Sequence, residues 1–199
     1  TSSTIVQNGD GFGDLLVANG FGAGLSPFTR AFMIEGQAAF SPSVTFTDPS
    51  ITLTRFNSDS LLSPIGAYGQ HVSSIHDFNG DGVNDILISE FYGGPSFLML
   101  GGFSSTVLFS ASGISLVGQN TNTASALGNV NGDYTVNDLP LSDIILSDAT
   151  TGWGAVIFGT TTPGASIDMT LLNGTDGFQI TRPGSVLTAG LQDVAGADL

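Results

Sequence analysis

Short apolar runs, each opened by an aspartate, recur along the chain: DLLVA from Asp14, DILIS from Asp85, DIILS from Asp143 and a terminal DL at Asp198. The intervals between these aspartates are 71, 58 and 55 residues. A second apolar run follows each at a similar offset. FLMLGG starts at Phe97, AVIFG at Ala155 and, after a longer loop, AFMIEG at Ala31. Third strands are expected at Val107–Phe109 and Ser166–Thr170, with VTF or ITLTRF in the first repeat. A fourth segment alternates polar and apolar residues, as an outer strand does: QHVSSIHDF, TASALGNV and SVLTAGLQDV. Runs apolar on consecutive positions suit strands buried on both faces. No long stretch carries a 3.6-residue apolar period, so helix is expected to be minor. Four short strands per repeat predict an all-β fold of β-propeller blades, each of four antiparallel strands. The chain offers about three blades of a partial propeller, at 14–84, 85–142 and 143–197, with 1–13 as the end of a preceding blade.

Composition narrows the function. Seventeen acidic residues stand against three basic ones, Arg30, Arg55 and Arg182, for a net charge of -14. Nothing could neutralise a phosphate backbone, so no nucleic-acid partner is expected. A mean hydropathy of +0.28 argues against a disordered acidic tail. No apolar run approaches the roughly 18 residues of a membrane-spanning helix, so membrane insertion is not expected either. The absence of cysteine removes disulfides, thiolate metal sites and cysteine nucleophiles together.

The acids are not scattered. Ten of the fifteen aspartates fall in the four loops that lead into the aspartate-led runs. In DFNGDGVND, side-chain oxygens occupy relative positions 1, 3, 5 and 9, which are Asp77, Asn79, Asp81 and Asp85. Gly82 stands at position 6, where a tight loop needs positive φ, and the carbonyl of Val83 at position 7 would turn inward. Hard oxygen donors at this spacing predict Ca²⁺. An EF-hand would place a bidentate acid at position 12, which here is Ile88 on a predicted strand. Zinc would require nitrogen or sulfur ligands.

With this loop in place the chain resembles the FG-GAP repeats of integrin α-subunit propellers and related extracellular surface proteins. EFYGGPSF (90–97) is similar to the stretch that names the family, and GASIDMTLLNGTDGFQI (164–180) to an inter-strand segment of bacterial members. The resemblance covers essentially the whole chain. It implies calcium in acidic loops between the outer strand of one blade and the inner strand of the next. In the first loop, VQNGDGFGD, it assigns Asn8, Asp10 and Asp14, with Phe12 as the carbonyl donor; Val6 stands where an acid is expected. In the third, it assigns Asn129, Asn131 and Asp133, with Tyr134 replacing the glycine and a five-residue insertion following. The last ligand there is Asp143 if register follows the strand and Asp138 if it follows the loop. A dockerin-type register would put its final acid at Pro140 and is set aside. The last loop keeps only Asp193 and Asp198.

Enzyme signatures are absent: no G-x-S-x-G, no phosphate-binding loop and no H-E-x-x-H. His71 and His76, five residues apart on an extended segment, are expected to face opposite sides. The glycine-rich GDGFGD and GFGAG precede no helix, which argues against a dinucleotide site. Trp153 and Tyr92 are expected to shape turns between blades. Asn173 in NGT is a glycan acceptor only in a secreted eukaryotic chain. The expected function is a non-enzymatic, calcium-binding extracellular scaffold or adhesion module. The alternatives are a propeller accessory to a hydrolase or phospholipase-type enzyme, and a glycan-binding propeller. Both chain ends fall in mid-pattern, and propellers close with about 4 to 8 blades. The expected partners are therefore further repeats, a protein partner or neighbouring copies.

Overall fold

The computed structural model describes residues 2–5, 12–18, 29–45, 47, 50, 52–57, 71–89, 96–103, 106–119, 121, 123–148 and 151–181. Within them the chain is all-β, as expected. Fourteen strands form three sheets, none of them closed. The first sheet is the antiparallel series β1 (Ser2–Ile5), β2 (Asp14–Ala18), β3 (Thr29–Ile34) and β4 (Leu53–Asn57). The middle sheet is β5 (His71–Ile75), β6 (Asp85–Ser89), β7 (Ser96–Met99) and β9 (Gly113–Val117). The last is β10 (Thr123–Gly128), β11 (Asp143–Asp148), β12 (Trp153–Ile157) and β14 (Gly177–Thr181).

Two short strands depart from this series. Between β7 and β9 the chain leaves the middle sheet and lays β8 (Thr106–Leu108) parallel to β4, on the edge of the first sheet. Between β12 and β14 it lays β13 (Ser166–Asp168) parallel to β9, on the edge of the middle sheet. The second and third repeats thus each stitch themselves to the sheet before them. The segments expected as third strands, Val107–Phe109 and Ser166–Thr170, are these linkers. The true third strands of the second and third repeats, β9 and β14, lie further on. Their sequences GISLV and GFQIT carry short, mixed patterns that periodicity alone does not single out. The residue closing each linker turns inward: Phe109 and Met169 are both fully buried.

Sheet membership also moves the expected boundaries. The strand before each acidic loop pairs with the strand after it, β5 with β6 and β10 with β11. The sheets therefore open at His71 and Thr123 rather than at Asp85 and Asp143. The acidic loops are hairpin connections within a sheet, not links between sheets. Spacing in a sequence cannot say which of two sheets an edge strand joins; hydrogen-bonded pairing across the loop decides it here.

Alternation of side chains across the pleat explains the stacking. From the middle sheet Ile86, Ile88, Phe97 and Met99 point one way and meet Leu16, Ala31, Met33 and Phe56 of the first. Leu87, Leu98, Ile114 and Leu116 point the other way and meet Ile144, Leu146, Ala155 and Ile157 of the last. Every residue of β6 is accordingly buried, as its uninterrupted apolar pattern predicts. In the first sheet the equivalent strand is buried only on alternate positions, and Leu15 is 41% exposed. β5 runs close to both β1 and β10, so the opening strands of the three sheets lie together. Trp153 is not a turn residue; it begins β12 in the core, and its Nε1–H donates to Gln179 Oε1 at 3.2 Å. Tyr92 lies outside the described residues.

Candidate functional site

The acidic loops are built on two devices. The first is a buried aspartate at the start of the second strand of each sheet, Asp14, Asp85 and Asp143, all with no exposed surface. Asp85 Oδ2 accepts from the Phe78 amide at 2.8 Å, and its Oδ1 accepts from the Gly101 amide at 2.7 Å. Asp143 repeats this, accepting from Val130 at 2.7 Å and Gly159 at 2.9 Å. Asp14 accepts from the Gly36 amide at 2.9 Å. Each carboxylate thus clasps the amide of a glycine just beyond the following strand. These glycines are required by space. A Cβ on Gly101 would lie 2.5 Å from Val83 Cγ1, one on Gly36 2.5 Å from Gly13 O, and one on Gly159 2.8 Å from Leu141 Cβ. The spacing of the aspartates points to a metal and does not reveal the clasp. The signal was the glycine that ends each second apolar run.

The second device is the turn itself. Asp77 Oδ1 accepts from the amides of Gly80 (2.6 Å) and Asp81 (3.1 Å), and its Oδ2 accepts from Gly82 (2.7 Å). Asn79 Oδ1 accepts from the Asp81 amide at 3.2 Å, and Asp81 Oδ1 from that of Val83 at 2.8 Å. Gly80 and Gly82 hold φ of 75° and 87°, which only glycine adopts without strain. The third loop copies the pattern. Asn129 Oδ1 accepts from Gly132 (2.8 Å) and Asp133 (3.0 Å), and Asn131 Nδ2–H donates to Asp133 Oδ2 at 2.8 Å, as Asn79 does to Asp81 at 3.0 Å. The Asn129 side-chain amide also donates to the Asp133 carbonyl.

This equivalence decides the register of the third loop: Asp143, not Asp138, occupies the place of Asp85. Fourteen positions separate Asn129 from Asp143 and eight separate Asp77 from Asp85, so the insertion is six residues rather than five. It forms its own turn, with Thr135 N donating to Leu139 O at 2.8 Å and Asp138 exposed at φ 60°. The first loop's Asn8 and Asp10, and the last loop's Asp193 and Asp198, lie outside the described residues. Phe12 and Asp14 of the first loop are described, and Phe12 is exposed.

Charge crowds the second loop. Desolvation by burial pushes the Asp85 carboxyl up to about 7; the Gly101 and Phe78 amides oppose this, and the negative charges of Asp81 and Asp77 add to it. Burial also raises Asp143, against the Gly159 and Val130 amides, with Asp133 adding to the rise. Asp133 Oδ1 is buried without a hydrogen-bond partner. Among the described residues, no three acidic or histidine side chains converge into a group that could hold a metal by themselves. A cation in either loop would also draw on asparagine and carbonyl oxygens.

The second loop also joins two sheets. Ser142 N donates to Asp77 O and Thr160 N to Phe78 O, both at 2.9 Å, while Phe78 is fully buried in the core shared with the last sheet. His71 begins β5 and His76 lies just past its end, about 16 Å along a strand, so the two do not meet. A cavity of about 630 Å³ lies beside the third loop, lined by Asp133, Tyr134, Thr160, Thr162, Asp168 and Asp176 among others. Among the described residues, no helix is long and apolar enough to cross a membrane. Comparison with protein-family models, curated proteins and solved structures returns no match.

Proposed function

We propose that this chain is a non-enzymatic, calcium-stabilised scaffold or adhesion module of the extracellular space, built from propeller-type repeats of the FG-GAP, integrin-α-like kind. The observation that carries the reading is the recurrence of one loop geometry at one place in two sheets, with carboxylates that no basic residue of either loop neutralises. In the second loop Asp77, Asn79, Asp81, the Val83 carbonyl and Asp85 are the oxygen donors. Each Asp81 and Asp85 oxygen accepts a single hydrogen bond, and a carboxylate offers about four lone-pair sites, so acceptor capacity remains. In the third loop the unpartnered Asp133 Oδ1 is the kind of buried acceptor a cation satisfies. Ca²⁺ would relieve the repulsion among the carboxylates. Because the second loop is bonded to Ser142 and Thr160 of the next repeat, it would also stiffen the junction between two sheets.

The test is thermal unfolding with Ca²⁺ and with excess chelator. At free calcium near 100 times Kd the stabilisation is about 2.7 kcal/mol. Asp81→Ala should reproduce the effect of chelation, whereas Asp176→Ala, exposed and outside these loops, should not. A melting curve that chelator leaves unmoved sinks the calcium reading. The second reading, a glycan-binding module, draws on the hydroxyl- and acid-lined cavity beside Tyr134. Titration with an oligosaccharide panel, followed by Tyr134→Ala, tests it.

A further inference from the structure

The linking strands follow one rule of register. In the first sheet Arg55, Phe56 and Asn57, the third to fifth residues of β4, pair with Thr106, Val107 and Leu108. In the middle sheet Ser115, Leu116 and Val117, the third to fifth residues of β9, pair with Ser166, Ile167 and Asp168. Each linker has the same form: an apolar middle residue, then one residue, then a large apolar one. The linkers read Val107-Leu108-Phe109 and Ile167-Asp168-Met169.

The first repeat carries the same form in the same place, between its second and third strands: Ser43-Val44-Thr45-Phe46. Yet Ser43, Val44 and Thr45 belong to no strand or bridge, and Val44 is 38% exposed where Val107 is 5% exposed. At the other end of the array β14 occupies the place of β4 and β9. Among the described residues nothing pairs with its outward edge. Phe158 N donates to Asp176 O, so by antiparallel alternation Phe178 and Ile180 bond to β12 while Gln179 and Thr181 turn their amides outward. Among the described residues, one end of the array has a linker without an edge, and the other an edge without a linker.

The faces match in the same sense. The first sheet turns Leu15 outward at 41% exposure, and the last turns Phe178 outward at 43%. The core clusters join the first sheet to the middle and the middle to the last; neither joins the last to the first.

We infer that the chain associates head to tail with a second copy of itself, the Ser43–Thr45 segment of one copy adding as a parallel strand to β14 of the next. The register rule sets the pairs as Ser43 with Gln179, Val44 with Ile180 and Thr45 with Thr181. In the middle sheet Ser115 N donates to Ala165 O at 3.2 Å, so the linker's central residue faces the edge strand. Val44 would do so here, its carbonyl accepting from the Thr181 amide. Such an interface is heterologous, so repetition builds a ring or a filament. The inference rests on the scaffold reading only in treating the repeats as an open array, and it does not involve calcium.

The test is the molar mass of the 199-residue chain by light scattering across a concentration series, with calcium held constant. The wild type should rise above one chain's mass as concentration rises. Val44→Pro removes the linker's amide and Thr181→Pro that of the edge, and each variant alone should stay a monomer with an unchanged far-ultraviolet circular dichroism spectrum. Mixed in equal amounts they should form a one-to-one dimer and nothing larger, because one intact linker then meets one intact edge. Val44→Asp leaves the backbone able to pair and should weaken association at least tenfold if a proline variant fails to fold. A wild type that stays at one chain's mass throughout, including by closing on itself, overturns the inference. So does association that none of these substitutions weakens.

Discussion

Ile86 and Leu15 hold the same place in their repeats, each the residue after the clasping aspartate, yet the fold gives them opposite surroundings. Ile86 is fully buried between the first and middle sheets; Leu15 points away from the stack and is 41% exposed. Truncating a buried isoleucine to alanine costs about 2 to 5 kcal/mol, from lost transfer energy plus the cavity left behind. Ile86 belongs to the upper part of that range, because its neighbours Leu16, Phe56 and Met99 are themselves fully buried and held in sheets that relax little. Leu15→Ala forfeits burial of part of a side chain whose full burial is worth about 1.5 to 3 kcal/mol, so it should cost roughly half of that or less. At about 3 °C per kcal/mol for a chain of this size, Ile86→Ala should lower Tm by some 10 to 15 °C and Leu15→Ala by under about 5 °C. Urea unfolding, followed at micromolar concentration so that copies do not associate, gives the same comparison through the midpoint. If Leu15→Ala proved as damaging as Ile86→Ala, the stacking order of the three sheets would be wrong.

The clasp and the linkers give further expectations. Gly177→Ala, which combines φ of 142° with a Cβ 2.1 Å from Val156 O, should destabilise by more than about 3 kcal/mol, while Gly102→Ala, at φ 81° with open space around it, should cost only about 1 kcal/mol. Phe109→Ala removes a buried ring stacked 5.1 Å from Phe97 and should cost about 3 to 5 kcal/mol in chemical denaturation. Val136, at the tip of the third loop's insertion, is 99% exposed, and Val136→Asp should leave stability within about 0.5 kcal/mol.

Some of this molecule was legible in its sequence because the signals are local. Uninterrupted apolar runs such as DILIS require burial on both faces, and β6 has it. Asp, Asn and Gly at positions 1, 3, 5 and 6 of the second loop force a tight turn closed by side-chain oxygens, and Asp77, Asn79 and Gly82 make it. Whatever depended on partners distant in the chain was decided by tertiary structure. GISLV and GFQIT are strands because β7 and β12 offer them an edge, not because their own pattern insists on it. Val107 and Ile167 look like third strands until the neighbouring sheet supplies the pairing that makes them linkers. Asp85 and Asp143 read as ordinary members of acidic loops. Only the return of the chain at Gly101 and Gly159 buries them and turns each into a clasp. Leu15 and Ile86 share a sequence environment and differ in exposure because the number of sheets stacked against a strand is not written in the strand.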